Sequence, residues 1–290
     1  DRDDVVAEIE RASKNVNKIG LIGAAVSEYP WINEVVSAGL ELGLTVTLSS
    51  LRLEFIDDIL LDSLKESGLK TVTVAPEAAS ERLRRVINKD IEKREILEKV
   101  ELIRDAGFKR LKLYFMVGLP TESDEDALEI AALTREIKDV FKGMTVTVSV
   151  NPFIPKPLTP FQWHPFAGLD VINRRCEAIK KELKGVKGVE LKINGVKEAF
   201  FQSYIARADR RAASIIIDAA SIGIRRAVKK NFDMMTEATQ RERPFDEILP
   251  WDMIDHGIEK EYLYEEYEKA LRGETTPPCI VGSCYRCGVC

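Results

Sequence analysis

The chain has 290 residues, of which 45% are hydrophobic, and a formal net charge of −5 from 43 basic and 48 acidic side chains. Such a chain buries one large core, or one core with a small appendage, and its dispersed lysines and arginines do not indicate a strongly basic nucleic-acid face, although a local patch is allowed. No run reaches the roughly 18 consecutive apolar residues of a membrane span, and the opening DRDDVVAEIE is unlike a signal peptide, so a cytoplasmic setting is expected. The first residue is Asp rather than Met, which reads as a processed or cut chain.

Taken in order, the periodicity predicts a charged amphipathic helix from Asp3 to about Val16 and a short buried strand over Lys18 to Ala25. A helix over Ile32 to Leu42 stops near Gly43, and a second strand covers Leu44 to Ser49. Phe55 to Ser67 is a helix with Gly68 at its end, where a left-handed cap favours Gly. The third strand, Thr71 to Ala75, opens on Pro76-Glu77-Ala78-Ala79-Ser80 and is followed by helical pieces over Glu81 to Val86 and Ile91 to Ala106. Within Leu111 to Trp163 an apolar run ends in Gly-Leu-Pro-Thr-Glu, an acidic-started helix follows, and a β-branched run ends in Asn-Pro-Phe-Ile-Pro-Lys-Pro. A strand, a helix and a strand in that order place two strands parallel, with the turns after both on one side, where ligands bind in such folds. A helix over Asp170 to Leu183 completes the repeats.

After Gly185 the rhythm changes. Val189 to Ile193 is a candidate strand, Phe200 to Arg207, Arg211 to Ile222 and Arg225 to Thr239 read as helices, Arg243 to Pro250 as a loop, and Asp252 to Leu271 as an acidic helix. Gly273 to Pro278 is a Pro-rich hinge before a cysteine tail. The expected organisation is a region of strand-helix repeats with outer helices over residues 1–185, a mainly helical accessory region over 186–272 and a metal-binding tail over 273–290.

Three segments, TVTVAPEAASERLRRVINK (Thr71 to Lys89), KLYFMVGLPTESDED (Lys112 to Asp126) and NPFIPKPLTPFQW (Asn151 to Trp163), together resemble the radical S-adenosylmethionine enzymes, and more narrowly the group with an N-terminal cobalamin-binding domain. The resemblance is strong over Lys18 to about Trp163 and weak, but in order, over the tail. It implies an open TIM-type barrel of about six parallel strands with outer helices, and a cofactor and substrate at the strands' C-terminal ends. It also implies a catalytic 4Fe-4S cluster held by Cys-x3-Cys-x2-Cys after the first barrel strand. Nothing like that motif precedes Gly20, so the first strand and cluster loop are expected upstream of Asp1, and this chain by itself is expected to be inactive.

By the resemblance, Glu77 and Ser80 contact S-adenosylmethionine, Arg52 takes the methionine carboxylate as a planar fork, and Ser27 and Glu28 lie near the methionine amino group. Read from the residues alone, Ser80 equally caps the helix that begins at Glu81, and Arg52 equally pairs with Glu54 or Asp57. Ala79 stands where the family commonly has Gly. Met116 and Gly118 are placed to lie along an adenine edge, and Asn151 and Phe153 end the next strand with Phe153 against the adenine face. Plain turn and core roles account for the same residues. Cys176 reads as a buried small hydrophobe, and the two histidines are too few for a metal triad.

Cys279, Cys284, Cys287 and Cys290 crowd the last dozen residues, and thiolates so close repel unless they share a cation. The spacing resembles ferredoxin-type cluster loops, with four-cysteine zinc as the structural alternative. The expected activity of the full-length protein is reductive cleavage of S-adenosylmethionine to a 5′-deoxyadenosyl radical acting on an unknown substrate, with methyl or methylthio transfer as one outcome. A flavodoxin or ferredoxin would donate the electron, and cobalamin would come through a further N-terminal domain. The alternative is a catalytically silent barrel whose zinc-binding tail contacts protein or RNA.

Overall fold

The computed structural model describes residues 1–23, 26–280 and 282–289. The elements run α1 (Arg2–Ser13), β1 (Lys18–Leu21), α2 (Ile32–Glu41), β2 (Thr45–Leu48), α3 (Asp58–Glu66), β3 (Thr71–Glu77), α4 (Glu81–Val86), α5 (Lys93–Asp105), β4 (Arg110–Val117), α6 (Asp124–Val140), β5 (Thr145–Pro152), α7 (Leu169–Leu183) and β6 (Val189–Ile193). They are followed by α8 (Val196–Arg207), α9 (Ala212–Ile222), α10 (Ile224–Lys230), α11 (Phe232–Thr239) and α12 (Lys260–Arg272). Side-chain caps start α3, α4 and α6: Asp57 accepts from Leu60 N, Ser80 from Leu83 N and Ser123 from Asp126 N. Gly68 and Gly107 end α3 and α5 at φ +84° and +85°, a conformation that carries no Cβ penalty only for glycine.

Every strand pair is parallel. β1 pairs with β2, and β3, β4, β5 and β6 form a second sheet in sequence order. One bridge between Leu51 and Val74, with Leu51 N donating to Thr73 O at 2.8 Å, links the two sheets into an open arc. This is the α/β open barrel that the strand and helix repeats imply. Alternation along the strands sends Val72, Val74, Leu111, Leu113, Phe115, Val117, Val146, Val148 and Val150 into full burial. They pack against Ile96, Val100 and Ile103 of α5, Ile130 and Ile137 of α6, and Ile172 and Ile179 of α7. Each such side chain contributes about 1.5–3 kcal/mol. The other face, carrying Lys112, Tyr114 and Met116 of β4 and Thr147 and Asn151 of β5, stays half-buried.

The sheet continues past the boundary expected at residue 185, because β6 pairs with β5 through Val146–Val189 to Val150–Ile193. Phe200 and Tyr204 of α8, Ile215 of α9, Val228 of α10 and Met235 of α11 share the sheet's core. The change of rhythm thus marks helices packed beside one another, not a separate core. Three other boundaries also shift. The described part of the first strand is Lys18–Leu21, and Ala24 and Ala25 lie outside the described residues. The helix expected over Arg225 to Thr239 is broken at Asn231, whose amide bonds Ala227 O at 2.9 Å and Asp218 at 3.0 Å and so competes with the helical ladder. The helix expected from Asp252 begins only at Lys260. Asp252 instead accepts from Leu249 N and Lys260 Nζ, and Gly257 turns the chain at φ +82°. Among the described residues no helix is long and apolar enough to cross a membrane.

Candidate functional site

A cavity of about 250 Å³ opens between the C-terminal ends of β2 and β3. Ser50 and Arg52 form one wall, and Ala75, Glu77, Asn88 and Lys89 the other. β3 slips register against β4 between Val74 and Glu77, and Glu77 takes φ +66°, a left-handed conformation uncommon outside glycine. Ala78 N donating to Pro76 O at 2.8 Å closes a three-residue turn around it. Such backbone costs about 1–3 kcal/mol and persists only where its surroundings enforce it.

The enforcing residue is Arg84. Fully buried, it donates from Nε to Ile91 O at 2.6 Å and from Nη1 to Ala79 O at 2.5 Å and Ala78 O at 3.3 Å, clamping the loop after β3. Among the described residues the Glu77 carboxylate accepts no hydrogen bond. Burial pushes its carboxyl up from the usual range, and the Lys89 ammonium opposes that. Lys89 is in turn pushed down by burial and held up by Glu77, while its Nζ donates to Ala75 O. The cavity therefore holds an unsatisfied acid and a partly desolvated amine side by side.

Arg52, Ser27 and Glu28 lie in contact with one another. Ser27 Oγ accepts from Arg52 N at 3.0 Å, and the Arg52 guanidinium pairs with Glu28 and, at 3.0 Å, with Glu54. The ion pair with Glu54 read from the residues alone is thus present, but Arg52 Nε is buried without a partner. Ser80 is 3% exposed, accepts from Leu83 N at 3.2 Å and bonds Asp126, which places its hydroxyl in the cap and not in the cavity.

The remaining expected positions line up along the same sheet edge but serve different ends. Met116 and Phe153 pack with Ala78, Leu83 and Leu119 in a small apolar cluster, Phe153 edge-on to Phe161 at 5.5 Å. Asn151 accepts from the amide of Asn194. Gly118, at φ +91°, is pressed against the chain itself: a Cβ there would lie 3.0 Å from Ala167 Cβ. The missing side chain there serves packing against Ala167.

The Gly-Leu-Pro-Thr-Glu run has a buried purpose that its letters do not announce. Glu122 accepts from Gly118 N at 2.6 Å and from Arg175 Nη1 at 2.6 Å, with 1% of its side chain exposed. Burial pushes its carboxyl up to about 7 against the pull of the Gly118 N–H and Arg175. Thr121, at φ +61°, is held by Arg82, which also pairs with Asp126. Cys176, 3% exposed, is a buried hydrophobe whose thiol burial raises to about 11.

The tail folds back along α12. Glu259 N donates to Cys287 O at 3.0 Å, and Thr276 N donates at 2.8 Å to Asn88 Oδ1, at the cavity rim. Cys284 Sγ lies 3.5 Å from Arg286 Nε, and this bond, with another to Cys279, pulls its thiol below the usual range. Cys290 lies outside the described residues, and among the described residues no three potential ligands gather.

An uncharacterized protein of Methanocaldococcus jannaschii is 35% identical over 250 residues, which cover 85% of this chain and 52% of that protein. The chain therefore spans about half the length of the curated relative it matches. Among solved structures, coproporphyrinogen III oxidase from Escherichia coli, described as a radical SAM enzyme, overlaps at TM-score 0.42 and 14% identity, over 63% of this chain and 40% of that one. Elp3 from Methanocaldococcus infernus overlaps at 0.45 and 14%, over 65% and 51%. These overlaps are too loose to assign anything to this chain. The sequence match is direct: residues 1–134, which span β1 to β4 and hold the whole cavity, match the family model described as the radical SAM superfamily.

Proposed function

We propose that the cavity between β2 and β3 binds S-adenosylmethionine in a radical SAM enzyme that cleaves it reductively. The observation that carries this is Glu77, an acid with no hydrogen bond from the chain, held by a strained turn in a polar cavity facing Arg52 and Lys89. An acceptor in that position suits a ribose hydroxyl or the methionine ammonium, and the orphaned Arg52 Nε suits the methionine carboxylate. Met116 and Phe153, one strand further along, offer an apolar bed for the adenine ring. Lys89 opposes the upward push of burial on the Glu77 carboxyl, and Arg84 keeps the loop in place.

When bound with a reduced 4Fe-4S cluster, S-adenosylmethionine supplies a 5′-deoxyadenosyl radical that abstracts hydrogen from substrate. The five cysteines of this chain do not fit the catalytic cluster, since one is buried in α7 and the others end the chain. Its ligands are assigned to a segment outside these residues, and cobalamin forms no part of the reading.

In anaerobically purified full-length protein, Arg52→Ala should weaken S-adenosylmethionine binding by about 1.5–3 kcal/mol, the range for hydrogen bonds to charged groups. It should cost the fold under about 1 kcal/mol, because the ion pairs it removes are partly exposed. Glu77→Gln should lower 5′-deoxyadenosine formation under a chemical reductant in parallel. Unchanged affinity and product in both variants would sink the assignment.

The tail is assigned an auxiliary 4Fe-4S cluster through Cys279, Cys284, Cys287 and Cys290. The contact of Cys284 with Cys279 and the tail's anchor on Asn88 support it. Reconstitution with iron and sulfide should load about four irons per chain, as a cluster on four thiolates requires. Cys284→Ser with Cys287→Ser should abolish that loading. One zinc that iron does not displace would make the tail structural.

A further inference from the structure

The helices after β6 enclose a second polar cavity, of about 220 Å³, away from the one between β2 and β3. Arg207, the last residue of α8, is 0% exposed and Arg243 is 5% exposed, and both line it. Main-chain carbonyls pin one side of each guanidinium. Arg207 Nη1 donates to His164 O, and Arg243 Nη2 donates to Arg207 O at 2.9 Å, with Arg243 lying over the Trp251 ring at 5.2 Å. Among the described residues four of their nitrogens have no partner: Nε and Nη2 of Arg207, and Nε and Nη1 of Arg243. Nε and Nη2 are the parallel pair through which an arginine grips a single oxyanion with two bonds.

The carboxylates nearby do not fill this role among the described residues. At the rim Arg211 holds Asp209 at 3.0 Å, and Arg241 takes both oxygens of Glu247 at 2.6 Å. Two adjacent buried cations with orphaned donors are costly unless an anion or its equivalent completes them. Burial, reinforced by Arg243, lowers Arg207 to about 10. Two fixed guanidinium groups facing one cavity match a doubly charged, tetrahedral oxyanion better than a singly charged, planar one.

We propose that Arg207 and Arg243 form a binding site for the phosphate group of a small phosphorylated ligand. The test is the melting temperature of the chain in inorganic phosphate, with chloride and acetate as comparison anions at matched pH and ionic strength. The site predicts a melting temperature that climbs with the logarithm of phosphate concentration, and no such climb in chloride or acetate. Arg207→Gln and Arg243→Gln should each flatten the climb, while Arg94→Gln on the exposed face of α5 should keep it. Should either buried variant fail to fold, titration calorimetry of the unaltered chain with phosphate, and separately with acetate, decides the matter. Phosphate heat that saturates at one site per chain supports the site. No heat, equal binding of acetate, or a climb retained in Arg243→Gln overturns it.

Discussion

Arg175→Met is expected to destabilise the protein by about 3–5 kcal/mol, the cost of stranding one member of a buried ion pair. Glu122 would keep the Gly118 N–H but lose the guanidinium that holds its second bond, with 1% of its side chain open to water. The loss should depend on pH. Glu122 already has a folded-state value near 7, above the ordinary 4.5. A raised carboxyl binds more protons folded than unfolded, so stability falls as pH rises through that window. Without Arg175 the value climbs further and the fall extends upward, so urea melts of Arg175→Met should show a larger deficit above neutrality than near pH 5. Glu122→Gln is the contrasting variant, because its amide oxygen still accepts from Gly118 N and Arg175 keeps Asp124 at 2.9 Å. It should cost much less and lose the slope; an equal cost in both variants at both ends of the pH range would refute this account.

Acid should weaken the junction between barrel and C-terminal helices through His164. Burial, with help from Arg207 and against Glu242, lowers this imidazole from 6.5 to about 4. The Tyr267 hydroxyl spends its proton on Glu242 at 2.8 Å, so the 3.0 Å contact with His164 assigns the imidazole proton to Nδ1. The unfolded chain binds the extra proton first. Stability therefore falls as pH drops from about 6.5 to 4, by at most ~3 kcal/mol. His164→Gln should remove that part of the acid limb, read by denaturant melts at pH 7 and pH 4.5. An acid limb of the same steepness in the variant would show that the titration lies elsewhere.

Much of the architecture is written in local pattern. β-branched runs such as Thr71 to Val74 and Thr145 to Val150 have the period and burial of interior parallel strands, and Ser123 with Asp126 announces α6 by its capping box. The contact of Arg52 with Ser27 is not legible in local pattern, since it spans 25 residues of chain. Arg84 and Lys89 were quoted within a motif, yet an arginine on a short helix gives no sign that its fork will close on Ala79 and Ile91. The packing role of Gly118 is hidden for the same reason: the atom that excludes a side chain there belongs to Ala167, far along the sequence. Arg207 and Arg243 stand at a helix end and a loop start with no local sign of burial, and only tertiary packing buries them.

The seam between the two sheets has a mechanical consequence. β1 and β2 meet β3 through the Leu51–Val74 bridge, and the walls of the cavity stand on opposite sides of that seam. A molecule that grips Arg52 and Glu77 together would act as a clasp across the seam, and any work done in drawing its two sides together would be subtracted from its affinity. Val36 on α2 and Leu61 on α3, fully buried behind the seam, would then help to set how tightly such a molecule is held.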